Sequence, residues 1–73
     1  MNCIMAERLK TTLKVERAKR DLSQAQLADL IGVTRKSINA IEMGHMVPST
    51  VLALKLATTL CVPVEGLFSI VNE

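Results

Sequence analysis

Residues 22–42 read LSQAQLADLIGVTRKSINAIE and hold two helix-start signals, Ser23 and Thr34, eleven positions apart. Ser23 with Gln26 three residues later is a capping box. The serine oxygen accepts an orphan backbone N–H, and the glutamine reaches back to the serine amide. The helix that follows carries Leu27, Ala28, Leu30 and Ile31 as its apolar set. Gly32 then ends it cheaply, because glycine accepts a positive φ without a Cβ clash. Thr34 caps a further helix predicted over about 35–43, which Gly44 closes. Arg35 and Lys36 fall in the first turn of that helix, where the dipole disfavours cations by a few tenths of a kcal/mol, roughly. Such a placement asks for an anion outside the chain.

Turning that helix at about 100° per residue from Arg35 puts Thr34, Ile38 and Ile41 on one stripe, at about 240–300°. Lys36, Asn39, Ala40 and Met43 lie opposite, at about 40–140°, with Arg35 at their edge. Thr34, Ile38 and Ile41 form the inward stripe, so a polar, basic face with one small residue looks outward. A glycine-ended helix, a turn of about three residues and a helix of this kind form a helix-turn-helix arrangement. Ala28 is small where the two helices cross closely.

Upstream, Leu9, Leu13, Ala18 and Leu22 alternate with charges and predict a first helix from about Leu9 or Thr12 to Arg20. Residues 1–8 read equally as an extension of that helix, a short strand or a frayed end. Downstream, Pro48 and Ser49 start a fourth helix through Leu60. Its segment VLALKLATTL is apolar nearly all round, which predicts a helix surrounded by protein with Leu52, Leu56 and Leu60 in the core. Pro63 opens a short fifth helix over about 64–68. Neither an internal repeat nor a linker interrupts the 73 residues, so a single domain over 1–73 is expected.

Composition agrees with an all-α fold. Nearly half the chain (49 %) is apolar while Phe68 is its one aromatic residue, so the core must come from Leu, Ile, Val, Ala and Met. The net charge of +2 hides an asymmetry: residues 1–45 hold eight Lys/Arg against five Asp/Glu, and residues 46–73 hold one against two. Residues 8–20 alone carry six basic side chains and one acid, Glu16. By itself this is a solvated helix face; beside the basic face of the third helix it points to a polyanion.

Several classes of function are disfavoured. Cys3 and Cys61 have neither CxxC spacing nor a histidine cluster, which argues for reduced, structural thiols and no metal site, leaving any redox role open. The N-terminus reaches charge too early for a secretory signal, and no apolar run has the length of a membrane span. A cytoplasmic chain is expected. One histidine, no tyrosine and no Gly-rich phosphate loop or Ser/His/Asp spacing leave nothing from which to build catalysis. No cofactor or small-molecule ligand is indicated.

The strings LSQAQLADLIGVTRKSINAIE and PSTVLALKLATTLCVPVEGLF, with the glutamine after the capping serine, the central glycine and Ile-x-x-Ile-Glu, resemble the Cro/cI (XRE-like) family of bacterial and phage DNA-binding regulators. The likeness covers about 13–68. It implies a compact five-helix bundle of the lambda-repressor-like type, with the helix-turn-helix in helices 2 and 3. It also implies base reading by Arg35, Lys36 and Asn39 with Ser37 and Ala40 as auxiliaries, and a phosphate contact from Gln24. Arg17 and Glu42 match a buried ion pair of the family. Where the family has Asn-Gly-Arg/Lys and then Tyr and Asn, this chain has Met43-Gly44-His45-Met46-Val47, so a phosphate-binding loop has lost donors. Thr34, Lys10, Lys14 and His45 are the further phosphate candidates, His45 reading otherwise as an exposed turn residue. Met43 and Met46 read as core filler or as soft contacts to thymine methyls or a partner.

Leu54, Val62, Val64, Leu67, Phe68, Ile70 and Val71 are more apolar side chains than so small a domain can hide. They predict a homodimer interface, because one recognition helix buries too little to hold a specific site tightly. The expectation is a dimeric repressor of a palindromic double-stranded DNA operator. The alternative is an antitoxin or protein-interaction module on the same fold.

Overall fold

A computed structural model describes residues 7–72 of the chain. Its elements run β1 (Glu7–Thr11), α1 (Leu13–Lys19), α2 (Gln24–Ile31), α3 (Arg35–Glu42), α4 (Thr50–Leu60), α5 (Val64–Leu67) and β2 (Phe68–Asn72). Each helix delivers apolar side chains to one core: Leu13 from α1, Leu27, Ala28 and Ile31 from α2, Ile38 and Ile41 from α3, Leu56, Ala57 and Leu60 from α4, and Leu67 from α5. Burying a side chain of the Leu/Ile class contributes about 1.5–3 kcal/mol, so this set is the main favourable term in folding.

The helix starts follow their capping residues. Ser23 Oγ accepts from the Gln26 amide at 3.0 Å while Gln26 Oε1 accepts from the Ser23 amide at 2.8 Å. Thr34 Oγ1 accepts from the Ser37 amide and Ser49 Oγ from the Leu52 amide, each at 3.1 Å. Gly32 closes α2 at φ 78°, and Cys61 closes α4 in the left-handed region at φ 57° without being glycine. On α1, Arg20 Nη1 donates to Glu16 Oε1 at 3.0 Å and holds that carboxyl below the usual carboxylate range, with Lys19 adding to the effect.

The all-α expectation needs correction. β1 and β2 form a small antiparallel sheet in the register Glu7↔Asn72, Leu9↔Ile70 and Thr11↔Phe68. Two strands alone are marginal in water; these two are clamped where they meet the helices. The Thr12 amide donates to Leu67 O at 3.0 Å, and Thr12 Oγ1 donates to Gly66 O at 2.8 Å. Leu9 therefore belongs to a strand, α1 begins at Leu13, and Phe68 opens β2 instead of ending α5. Residues 1–6, and with them Cys3, lie outside the described residues; Cys61 is exposed and its thiol is free.

Expectations about burial also change. α4 is not surrounded: Leu56 and Leu60 are buried and Leu52 packs partly against the core, but Val51 and Leu54 are exposed. Leu30 on α2 is 61 % exposed, and a shallow groove of about 420 Å³ lies between it and α4, lined by Val51, Leu54, Lys55, Thr58 and Thr59. Ala18 is exposed as well, because α1 touches the core chiefly through Leu13. The methionines split, with Met46 packed on the core and Met43 exposed.

Candidate nucleic-acid interface

Ile38 and Ile41 are fully covered, which fixes the rotation of α3 about its own axis. Arg35, Lys36 and Asn39 are consequently exposed, with Ser37 and Ala40 half-buried beside them. The turn is anchored to the end of α2 through Gly32 and Val33, whose amides both donate to Ala28 O, at 2.8 and 3.0 Å. Thr34, spent on capping, also donates its hydroxyl to Ser37 Oγ at 3.1 Å. Thr34 is exposed, so of the expected inward stripe only Ile38 and Ile41 are buried.

Beneath this face runs a network of side chains from three helices. Arg17 of α1 donates from Nε to Glu42 Oε2 at 2.7 Å and from Nη2 to Glu42 Oε1 at 3.2 Å. Its Nη1 donates to Leu22 O at 2.7 Å, so one guanidinium ties α1, the loop before α2 and the end of α3. The pair is shielded from water, the Arg17 and Glu42 side chains being 13 % and 2 % exposed. Gln24, the first residue of α2, extends it: Nε2 donates to Glu42 Oε1 at 2.9 Å and to Asn39 Oδ1 at 3.1 Å, and Oε1 accepts from Arg35 Nη1 at 2.7 Å.

The structure thus brings Gln24, Arg35, Asn39, Glu42 and Arg17 into one assembly. Lys10 is exposed on β1 opposite Ser69, Lys14 is exposed on α1, and His45 is exposed in the turn after α3, where its amide donates to Ala40 O at 2.8 Å. Among the described residues, Lys10, Lys14, Lys36 and His45 make no side-chain hydrogen bond to the assembly. The role of Gln24 as a hub is not legible in the sequence. Its partners stand 11, 15 and 18 positions away, beyond any local spacing rule.

Of the apolar residues expected at an interface, Leu67 is corrected: it is buried in the core within the chain and has no surface to offer. Val62, Val64 and Phe68 are half-buried against the core, Val71 is half-buried on β2, and Ile70 is 65 % exposed. Val64 and Phe68 share with Leu9, Val47, Pro48 and Leu54 a second apolar groove of about 290 Å³. No helix among the described residues is long and apolar enough to cross a membrane.

A family model described as helix-turn-helix matches residues 13–67, the span from the start of α1 to the end of α5. The chain is 38 % identical over 65 residues to the HTH-type transcriptional regulator YgzD of Bacillus subtilis, covering 89 % of this chain and 98 % of that one. It is 43 % identical over 60 residues to an HTH-type transcriptional regulator of Methanocaldococcus jannaschii, covering 82 % and 91 %. Among solved structures, the restriction-modification controller protein C.AhdI of Aeromonas hydrophila superposes with a TM-score of 0.69 at 37 % identity, over 74 % of this chain and 78 % of that one. The transcriptional regulator VanUg superposes over 100 % of this chain and 99 % of its own with a TM-score of 0.72; at 19 % identity it supports the fold alone. The chain therefore belongs to the XRE-like helix-turn-helix family of DNA-binding transcriptional regulators.

Proposed function

We propose that this chain is a sequence-specific regulator that acts as a two-fold homodimer on a palindromic operator, in the manner of a repressor. α3 enters the major groove, and Arg35, Lys36 and Asn39 read base edges with Ser37 and Ala40 beside them. One observation carries this reading: the cationic and amide side chains of α3 are exposed on a helix whose opposite isoleucines, Ile38 and Ile41, are fully buried. Arg or Lys suits guanine O6 and N7, and Asn suits adenine N6 and N7. Gln24 begins α2, where its backbone N–H lacks an intrahelical acceptor and is suited to a phosphate oxygen. Thr34, Lys10, Lys14 and His45 are the other phosphate partners in this proposal.

Two copies double the contacts of one short helix. Ile70 and the groove formed by Leu9, Val47, Leu54, Val64 and Phe68 supply apolar surface for the pairing, to which the half-buried Val62 and Val71 add. A two-fold dimer requires half-sites about one helical turn apart. Selecting bound sequences from randomised duplexes tests both points. A palindromic consensus with that spacing is expected; recovery of no preferred sequence at modest salt would reject the proposal.

The exposed groove between Leu30, Val51 and Leu54 favours a second reading, an antitoxin or protein-interaction module. Salt separates the two. Binding to DNA weakens steeply with salt as counterions are released, whereas an apolar protein contact barely responds.

A further inference from the structure

We propose that Glu42 is a positioning residue for base reading, acting through Gln24 to aim Arg35 and Asn39; this rests on the reading of α3 as the recognition helix. Glu42 itself cannot meet a base, because its side chain is almost completely covered. Its influence travels through hydrogen-bond polarity. An ionised carboxylate only accepts, so the end of the Gln24 amide that faces Glu42 Oε1, at 2.9 Å, must be the NH2. That requirement leaves the amide one orientation. The carbonyl then faces away from Glu42 and accepts from Arg35 Nη1 at 2.7 Å, while the second N–H of the NH2 donates to Asn39 Oδ1 at 3.1 Å.

The reverse orientation would set a carbonyl against the carboxylate and an NH2 against the guanidinium. Gln24 thus works as an adaptor between a buried anion and an exposed cation. Arg17 completes the chain from the other side, by donating to Glu42 Oε2 and sharing Oε1 with Gln24. The order of polarity is set in the core and delivered at the surface. Arg35 commits one N–H to Gln24 and keeps the rest of its five donors for guanine. Asn39 commits one lone pair of Oδ1 and keeps the other, together with its NH2, for adenine N6 and N7. Both side chains therefore lose rotamer freedom before DNA arrives, and do not lose it on docking.

The test compares complete base-preference profiles for the wild type, Gln24→Met, Glu42→Gln and the double variant. Each is measured well below its own unfolding midpoint. Gln24→Met leaves the Arg17–Glu42 pair in place and removes the adaptor. It is expected to lower preference roughly 2- to 12-fold at the base pairs that Arg35 and Asn39 contact, leaving other positions of the site unchanged. Glu42→Gln should act at those same positions. Arg17 Nε, which makes the shorter of the two Arg17 bonds to Glu42, claims the new amide oxygen at the Oε2 position. The new NH2 then replaces Oε1, gives up the Nη2 bond and demands the Gln24 carbonyl, and the reversed Gln24 turns its NH2 toward Arg35.

Because both changes act along one path, the double variant should match Gln24→Met alone. The proposal is overturned if folded Glu42→Gln binds every sequence more weakly by one common factor, which is the signature of a merely structural residue. It is equally overturned if Glu42→Gln shifts preference by the same amount with and without Gln24. A wild type with no base preference at all would instead reject α3 as the reading element, and this proposal with it.

Discussion

Removing Arg17 should show whether the ion pair beneath α3 behaves as a buried or a surface interaction. Arg17→Met keeps much of the aliphatic volume and deletes three donated hydrogen bonds, two to Glu42 and one to Leu22 O. Among the described residues Glu42 then retains one donor, Gln24, on a side chain that is 2 % exposed. Leaving a charge buried without its partner costs roughly 3–5 kcal/mol. An exposed pair would cost about 0–1 kcal/mol. The whole stability of a chain this long is about 4–11 kcal/mol, so the loss should be unmistakable. At about 4–8 °C per kcal/mol, it corresponds to a fall in Tm of roughly 12–40 °C.

Urea unfolding followed by far-ultraviolet circular dichroism measures the change, provided the slope of the transition is retained. The companion variant Arg17→Met/Glu42→Leu removes both charges and should regain most of the loss, because no unpaired carboxylate remains. A penalty under about 1 kcal/mol for Arg17→Met would refute the argument. So would a double variant no more stable than the single one.

Further predictions address the backbone, the pH response and DNA reading. Gly32→Ala should destabilise by about 1–2 kcal/mol through backbone strain alone, since nothing lies within 4 Å of the added Cβ and φ is +78°. Cys61→Gly should do the opposite at the end of α4. Relief of left-handed strain, less the added freedom of the unfolded chain, should raise stability by about 0.5–1 kcal/mol in thermal or urea unfolding. Since the Glu16 pKa is lowered in the folded state, its ionisation stabilises above the carboxyl's unfolded pKa, and that contribution disappears as pH falls through the lowered folded value. The stability difference between wild type and Glu16→Gln should therefore shrink on acidification from neutral pH; a difference independent of pH would exclude this origin. Lys36→Ala should relax preference at one base pair by about 1–3 kcal/mol, measured by competition binding. Uniform weakening across all sequences would place Lys36 on phosphate.

The amino-acid order alone determined the helical framework from α2 to α4. Ser23, Thr34 and Ser49 each find a backbone amide within their own first turn, and Gly32 supplies its positive φ without reference to distant residues. The inward stripe of Ile38 and Ile41 likewise follows from period alone, and it exposes Arg35, Lys36 and Asn39. Local geometry sufficed because every partner in these features lies within four positions.

Tertiary structure decided what no such spacing encodes. ERLKT straddles a stretch that reads locally as a helix start, a short strand or a frayed end, and it becomes β1 because FSIVN, about sixty residues later, offers it a ladder. Apolar content made α4 look enclosed, but whether a helix is covered on all sides depends on how many neighbours reach it; none covers Val51 and Leu54. Leu67, one of several apolar residues near the C-terminus, goes inward while Ile70 stays out, a choice set by where α5 ends and the strand begins. The link from Glu42 through Gln24 to Arg35 and Asn39 belongs to the same class. It exists because folding brings the start of α2 against the exposed side of α3, and hydrogen-bond polarity then leaves the amide between them a single orientation.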